Sequence, residues 1–590
     1  MIENRKPRLI IILLLLASYL PLFAQGSAGS ADTALHAAVL NFPGDSAYDS
    51  AFSEALRAGI LPVSAVYPLF GSELGIDLTD INQNAKPELK SGLSVSFSTP
   101  SLYYDSPASQ DDLAANLLGS LSLSVTGFPE IQHYLQNLPD PVSLDLWIYP
   151  SPRMAFKLDL FFNYRRDSII GQSSTFQWDL DQWMGNLLGA AEFPSKAYLA
   201  WAGDNFGIAA GRFPAGMGWG RLTGATLNPR ASWYDQIRLY FDAGKLRFNA
   251  MWASSSAQLS EAESEIQFRR KTDGSSFWDS LNDHDFAAND QAIKLATWHQ
   301  VEWKPLTWLG FGFAEMSMIG GRAPALHFVL PSAIWHSAYA AGYSNVGASI
   351  QAAAVPLPGL LVAGELFIDD MRSSDEPTTA KPQALAWTGV ARWSKAFSPK
   401  LGLDLGLEYG HADRWTYVRW NPYLAMYQRQ TLAGGRRSLD QSLGAPWGPD
   451  HDSIGAYARL SGAGGSYLEL SYEFIRKGPI YQGMGAQIAE SVMSEDWSGD
   501  DDTFDKIWVP VFYDYDKYAG PGALAAILAR PDEYRHLISL LGNYPLGKGL
   551  ELKLSTTLGF YQNFGNTAGV AKVMILAYIG ILYRIPTGAK

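Results

Sequence analysis

The sequence predicts an all-β fold: a transmembrane antiparallel β-barrel of about 16–20 strands, preceded by a short N-terminal helical segment in the periplasm. Three observations point there. In KLGLDLGLEYG (400–410), Leu401, Leu403, Leu405, Leu407 and Tyr409 alternate with Gly402, Asp404, Gly406, Glu408 and Gly410. Successive strand side chains point to opposite faces, so the segment has one greasy and one polar face. Many such runs are nine to twelve residues long, the length that carries a tilted strand through a bilayer; soluble strands average about 5–6 residues. The connections are also unequal: 242–244 and 545–549 are short, whereas 166–194, 254–290, 425–451 and 477–533 are long and polar, as in barrels with tight turns on one side and large loops on the other.

In chain order, residues 1–24 have a basic start (Arg5, Lys6, Arg8), an apolar run from Leu9 to Leu16 and a processing region with Pro21 and Ala24, the pattern of a secretory signal peptide. Residues 25–90 form an N-terminal periplasmic segment. Within it Tyr48, Phe52, Ala55 and Leu56 recur at helical spacing and Gly59 and Pro62 stop the pattern, which predicts a short helix acting as a docking element or a plug. Residues 91–590 form the barrel. Besides 400–410, period-two runs occur at 91–98, 119–127, 142–149, 154–165, 195–202, 205–212, 234–242, 244–253, 291–303, 307–318, 335–343, 347–355, 359–369, 384–394, 414–423, 452–460, 466–476, 534–543, 549–561 and 573–585. Trp147, Tyr149, Trp303, Trp308, Trp393, Trp415 and Trp420 gather near run ends, where interfacial aromatic girdles belong. On this reading Leu401 to Tyr409 face lipid, and Asp404 and Glu408 face a water-filled or plugged interior.

Composition narrows the function. There is no cysteine, which removes disulfides, Cys-ligated metals and a lipid-modified cysteine anchor. The net charge of −13 argues against nucleic-acid binding, which needs a basic footprint. After the signal no apolar run of about 20 residues occurs, so helical spans are not expected. No G-x-S-x-G elbow or H-E-x-x-H pair is present, and GNYPLGKG (542–549) has Gly549 where a phosphate-binding loop needs Ser or Thr. No catalytic residue, cofactor or metal is therefore assigned.

Several charged and aromatic residues are candidates for ligand contact or for lining the interior. GRFPAGMGWGR (211–221) sets four glycines around Arg212, Trp219 and Arg221; it reads either as a folded-in loop with two guanidinium forks for anionic groups or as a tight hairpin with solvated arginines. GELFIDDMR (364–372) carries Glu365, Asp369 and Asp370, and GAPWGPDHDS (444–453) carries Asp450 and Asp452. Arg238, Asp404 and Glu408 join them by strand parity, with Lys157, Asp159 and Arg392. Trp278, Trp447 and Trp497 in long loops are candidates for stacking on sugar rings.

Taken together, GRFPAGMGWGR followed by LNPRASWYDQIRL (227–239), GELFIDDM (364–371) and GAPWGPDHDS (444–453) before AYARLSG resemble, in order and spacing, the Wzi-type capsule-assembly family of outer-membrane barrels. The resemblance spans roughly 195–480. It implies an outer-membrane barrel of about eighteen strands with an N-terminal helical periplasmic portion, and a surface that binds polysaccharide and holds capsule on the cell. It assigns no sugar-contacting residue. The chain departs from the pattern in its 477–533 insertion and in the five residues PTGAK after Tyr578-x-Gly580-x-x-Tyr583-x-Ile585, a stretch that otherwise looks like the signal read by the outer-membrane barrel assembly machinery. The leading expectation is thus a non-enzymatic barrel in the outer membrane of a diderm bacterium, with outer-membrane lipid, surface polysaccharide and the assembly machinery as partners. A porin-like diffusion channel for small polar solutes and a secreted all-β glycan-active enzyme are the alternatives.

Overall fold

The computed structural model describes residues 37–74, 88–98, 102–105, 142–162, 196–257, 291–371, 383–480 and 526–586, apart from single positions and short breaks inside these ranges. The barrel wall is built from β1 (Glu88–Ser98, continued by Leu102–Asp105), β2 (Val142–Ser151), β3 (Met154–Phe162), β4 (Ala197–Ala202), β5 (Phe206–Phe213), β6 (Tyr234–Asp242), β7 (Leu246–Ser254), β8 (Gln291–Leu306), β9 (Leu309–Gly321) and β10 (Ser344–Leu357). It continues through β11 (Leu360–Asp370), β12 (Ala384–Ser398), β13 (Leu401–Ala412), β14 (His451–Ser461), β15 (Tyr467–Lys477), β16 (Glu533–Gly547), β17 (Leu550–Gln562) and β18 (Ala571–Pro586). Each strand pairs antiparallel with its sequence neighbours, and the last closes the ring on the first, with Ile581 opposite Phe97 and Ile575 opposite Tyr104. The two pieces of β1 lie end to end on β18, so the wall has 18 strands, inside the expected range.

Parity holds along the wall. On β13, Leu405, Leu407 and Tyr409 are exposed outward while Gly406, Glu408 and Gly410 are buried inward. On β6, Ile237 and Phe241 are exposed and Gln236, Arg238 and Tyr240 are buried. The connections at 152–153, 203–205, 243–245, 307–308, 358–359, 399–400, 462–466 and 548–549 are all short and fall at one end; those at the other end are longer, from 563–570 up to 478–532. Trp303 and Trp308 are exposed beside the short turn at 307–308, as interfacial aromatics should be.

Three expectations are corrected. In the 335–343 run the described residues Trp335–Ala338 form a 3₁₀ turn, not a strand. The 414–423 run, which alternates only through scattered aromatics, is a chain of turns in its described part. Trp147 and Tyr149 do not belong to a lipid girdle, because they pack on an interior cluster with Tyr198, Phe213 and Phe70. Within the long 425–451 connection, Tyr427–Leu432 and Arg437–Ser442 pair as a hairpin, and 441–451 is buried. The runs at 1–24 and 119–127, and Trp278, Trp420 and Trp497, lie outside the described residues.

Reversing the polarity of one outward position tests the lipid face. Leu407, 57% exposed near the middle of β13, should cost about 2–4 kcal/mol when replaced by Arg if hydrocarbon surrounds it. Reversible unfolding into denaturant from lipid vesicles measures this, and an unchanged midpoint would place Leu407 in water.

Candidate functional site: a barrel interior filled from both ends

Two segments enter the barrel from opposite ends and meet. From the short-turn end comes 37–74, whose helix α1 (Ser46–Arg57) presents Tyr48, Phe52 and Leu56 as one buried stripe. Arg392 of β12 lies over the Phe52 ring at 4.0 Å, the Ser53 hydroxyl donates to Asp404 at 2.9 Å, and Asp49 pairs with Arg459 at 3.0 Å. Past the helix, the Glu302 carboxylate accepts from the Ser64 hydroxyl at 2.6 Å and the Ala65 amide at 2.8 Å, and Lys304 donates to the carbonyls of Pro62 and Val63. Arg238 donates to the carbonyl of Pro68, and Arg247 pairs with Glu73.

From the long-loop end comes 214–233, between β5 and β6. Its residues Gly216–Met217 pair antiparallel with Val66–Tyr67 of the N-terminal segment. A side chain at Gly216 would collide with the Tyr67 ring, and Gly218 has φ +103°, a conformation that glycine adopts at little cost. The GMGWGR stretch thus bends tightly enough to turn its amides toward the wall. Glu408 receives the backbone amides of Arg221, Leu222 and Thr223 at 2.8–3.0 Å and the Thr223 hydroxyl at 3.2 Å. Glu365 receives the amides of Ala225 and Thr226 at 3.1 Å and the Gln351 side-chain amide. A run of converging backbone N–H groups is an anion-binding nest; here the anions are two carboxylates of the wall. The arginines are paired too: Arg221 reaches Glu469 at 3.0 Å and lies over Tyr457, and Arg230 reaches Glu473 at 2.6 Å. Burial on its own would lower the pKa of Arg221, but Glu469 outweighs it and the guanidinium is held above its ordinary range. Burial likewise pushes the Tyr67 phenol well above its usual value, so it stays a neutral donor to the Pro229 carbonyl.

Above this loop the segment 413–450 closes over the interior. Arg419 bridges Asp369 and Asp370, both at 2.9 Å, and Tyr417 donates its amide to Asp369 and its hydroxyl to the Ala225 carbonyl. Between these layers lies an apolar cluster that includes Met217, Leu227, Met251, Trp298, Met316, Met318, Phe367, Met426 and Leu443. Beside Trp219, Glu302 and Lys304 a void of about 10 Å³ remains, room for about one water.

The structure therefore brings Trp219, Arg221, Arg238, Glu365, Asp369, Asp404 and Glu408 together in the interior. Asp370 and Asp450 sit at its long-loop end. Arg212 and Asp452 are elsewhere: both point outward near the rim, Arg212 paired with Asp235 at 2.7 Å and Asp452 with Arg476 and His411 at 2.6 Å. Trp447 is 3% exposed, with Arg230 and Arg535 over its ring, and offers no face to a sugar. Sequence reading missed Glu302, Lys304, Glu469, Glu473, Arg230 and Arg419. Parity marks Glu302, between outward Val301 and Trp303, and Glu469 and Glu473, which flank outward Leu470 and Tyr472; nothing local marks Arg230 or Arg419. Among the described residues no cluster of three or more His, Cys, Asp or Glu is arranged to hold a metal ion.

No protein-family model matches the chain, and no curated protein sequence matches it. Among solved structures it is similar to Wzi of Escherichia coli, described as an outer membrane protein involved in group 1 capsule assembly and a carbohydrate-binding β-barrel. The two are 12% identical, the match covers 94% of this chain and 100% of that one, and the TM-score is 0.50. OccAB4 of Acinetobacter baumannii (8% identity, 85% and 99% coverage, TM-score 0.35) and OprD of Pseudomonas aeruginosa (8%, 86% and 99%, 0.34) superpose less closely. The fold implied by the three sequence motifs, that of a Wzi-type barrel, is the fold of the chain.

Glu408 tests how the inserted loop is held. Glu408→Ala leaves three buried amides without an acceptor, at an expected cost of about 3 kcal/mol, while Glu408→Gln keeps an acceptor oxygen and costs less. Limited proteolysis within 214–233 should be fast in the Ala variant and slow in the wild type; equal rates in all three would show that the carboxylate does not hold the loop.

Proposed function

We propose that the chain is an outer-membrane barrel that binds or organises surface polysaccharide on its long-loop face, without catalysis and without a continuous diffusion path through the wall. The observation that carries this reading is the meeting of two inserted segments inside the barrel, each tied to the wall by buried charged groups. A channel selects by lining charges that solutes can reach. Here the lining carboxylates accept from the chain's own amides and the arginines are paired, so they are occupied before any solute arrives. On the long-loop side the described part of 413–450 closes over the interior, so a polymer would meet the protein there from outside rather than pass through it. The description of Wzi as carbohydrate-binding, and the motifs shared with its family, favour a polysaccharide as that polymer.

Purified protein in planar bilayers should give no steady conductance, whereas removal of 214–233 should open a persistent pore. The intact protein should also be retained on immobilised polysaccharide from the cells that make it, with retention lost when 437–442 is trimmed. Steady conductance by the intact protein would restore the diffusion-channel reading. A closed barrel with no glycan retention would remove the polysaccharide assignment.

A further inference from the structure

One long loop folds outward rather than inward. Residues 323–338 follow β9 and lie against the outer wall over β7, β8 and β9. His299 and Glu315 are register partners on β8 and β9. Both point outward by parity, since Val301, Trp303 and Phe313 on the same faces are exposed. They hydrogen-bond at 3.1 Å, and the outward side chains next to them on these strands, Val301, Trp303 and Phe313, are apolar and exposed. The loop covers this pair. Trp335 is fully buried, with its indole stacked on the His299 ring at 4.0 Å between centroids. Glu315 accepts the backbone amides of Trp335 at 2.9 Å and His336 at 3.3 Å. The indole of Trp335 donates to the Leu330 carbonyl, and that of Trp252, outward on β7, donates to the Val329 carbonyl at 2.7 Å.

His336 is exposed at the end of the loop, and three apolar side chains stand out from it, Leu326 70% exposed, Ile334 67% and Leu330 41%. They continue the patch formed by Val301, Phe313 and Ile350 on the adjacent wall, exposed by 42%, 53% and 47%. No Asp, Glu, Lys or Arg occurs between 323 and 343, whereas 17% of the chain is charged and the loop at 258–290 opens with Glu261, Glu263, Glu265, Arg269, Arg270 and Lys271. Irregular backbone at membrane depth must find its hydrogen bonds within the protein, and charge there is costly; the amides of Val329, Leu330, Ala333, Trp335 and His336 are all paired on the loop or the wall.

We propose that Leu326, Leu330, Ile334 and Trp335 form a membrane-inserted ledge. Leu326, Leu330 and Ile334 rest among the acyl chains of the leaflet on the long-loop side, and Trp335 seals the His299–Glu315 pair from them. The occupant is lipid rather than a second barrel because the ledge is continuous with the lipid-facing wall and carries no charge to set the register of a protein partner.

Since the chain has no cysteine, Ile334→Cys, Phe313→Cys and Ala568→Cys each accept one nitroxide label. Power saturation in liposomes then compares relaxation by oxygen, which concentrates in lipid, with relaxation by a nickel chelate, which stays in water. The label at Ile334 should follow the wall label at Phe313, with oxygen several-fold more effective, and differ from the exposed turn at Ala568. Preference for the nickel chelate at Ile334 alone would put the loop in water and overturn the ledge. Shielding from both agents with spin–spin broadening would show a second copy seated there, and would overturn it too. Nickel preference at Phe313 as well would sink the lipid-facing wall itself, a result distinct from failure at Ile334.

Discussion

The architecture depends on buried carboxylates of the wall that accept backbone amides of inserted chain. A closed sheet satisfies its own backbone through the ladder, but a non-helical segment pushed into its interior brings amides with no ladder partner. Left unpaired, each buried group would cost about 1–3 kcal/mol. Glu408 and Glu365 on β13 and β11 answer this for amides within 221–226, and Glu302 on β8 does so for Ala65. The same contacts give the carboxylate oxygens hydrogen-bond partners in a place that water does not reach. Neither partner would be tolerable there alone.

Around those contacts the interior packs as a protein core does. Methionines from the wall and the inserted segments meet in one cluster with Trp298 and Phe367, and thioethers fill irregular gaps well. The barrel is therefore apolar on both sides of its wall over part of its circumference: lipid-facing outside and plug-facing inside. This explains why inward positions such as Met251, Ala314 and Met316 are not polar, as the alternation rule for a wet lumen would require. It also couples the plug to the wall, so that displacing one segment exposes apolar surface on both.

The long loops are used in two opposite ways. Residues 214–233 and 413–450 turn inward and bring charge with them, Arg221, Arg230 and Arg419, each matched by a wall carboxylate. Residues 323–338 turn outward, bring no Asp, Glu, Lys or Arg, and cover the His299–Glu315 hydrogen bond on the wall. In each case the direction of the fold agrees with the charge content of the loop and with the medium on that side.

The sequence by itself determined the wall. Alternation is a local property of a strand, so the parity of Leu405, Leu407, Glu408 and Arg238 could be read from neighbours a few residues away, and so could the stripe of Tyr48, Phe52 and Leu56 on α1. Glycines at 216, 218 and 220 announced a tight bend in the same way. Tertiary structure alone decided what the polar face meets. The glycine-rich loop carries arginines, which locally suggests an external anion, yet its amides close on Glu408 and Glu365, placed 139–187 residues away in the chain. Trp447 was legible as a loop aromatic but not as a buried platform between Arg230 and Arg535, and Trp147 was legible as an aromatic near a strand end but not as part of the plug contact. Long-range pairing of this kind depends on barrel closure, which brings distant strands to one interior, and no local period in the sequence records it.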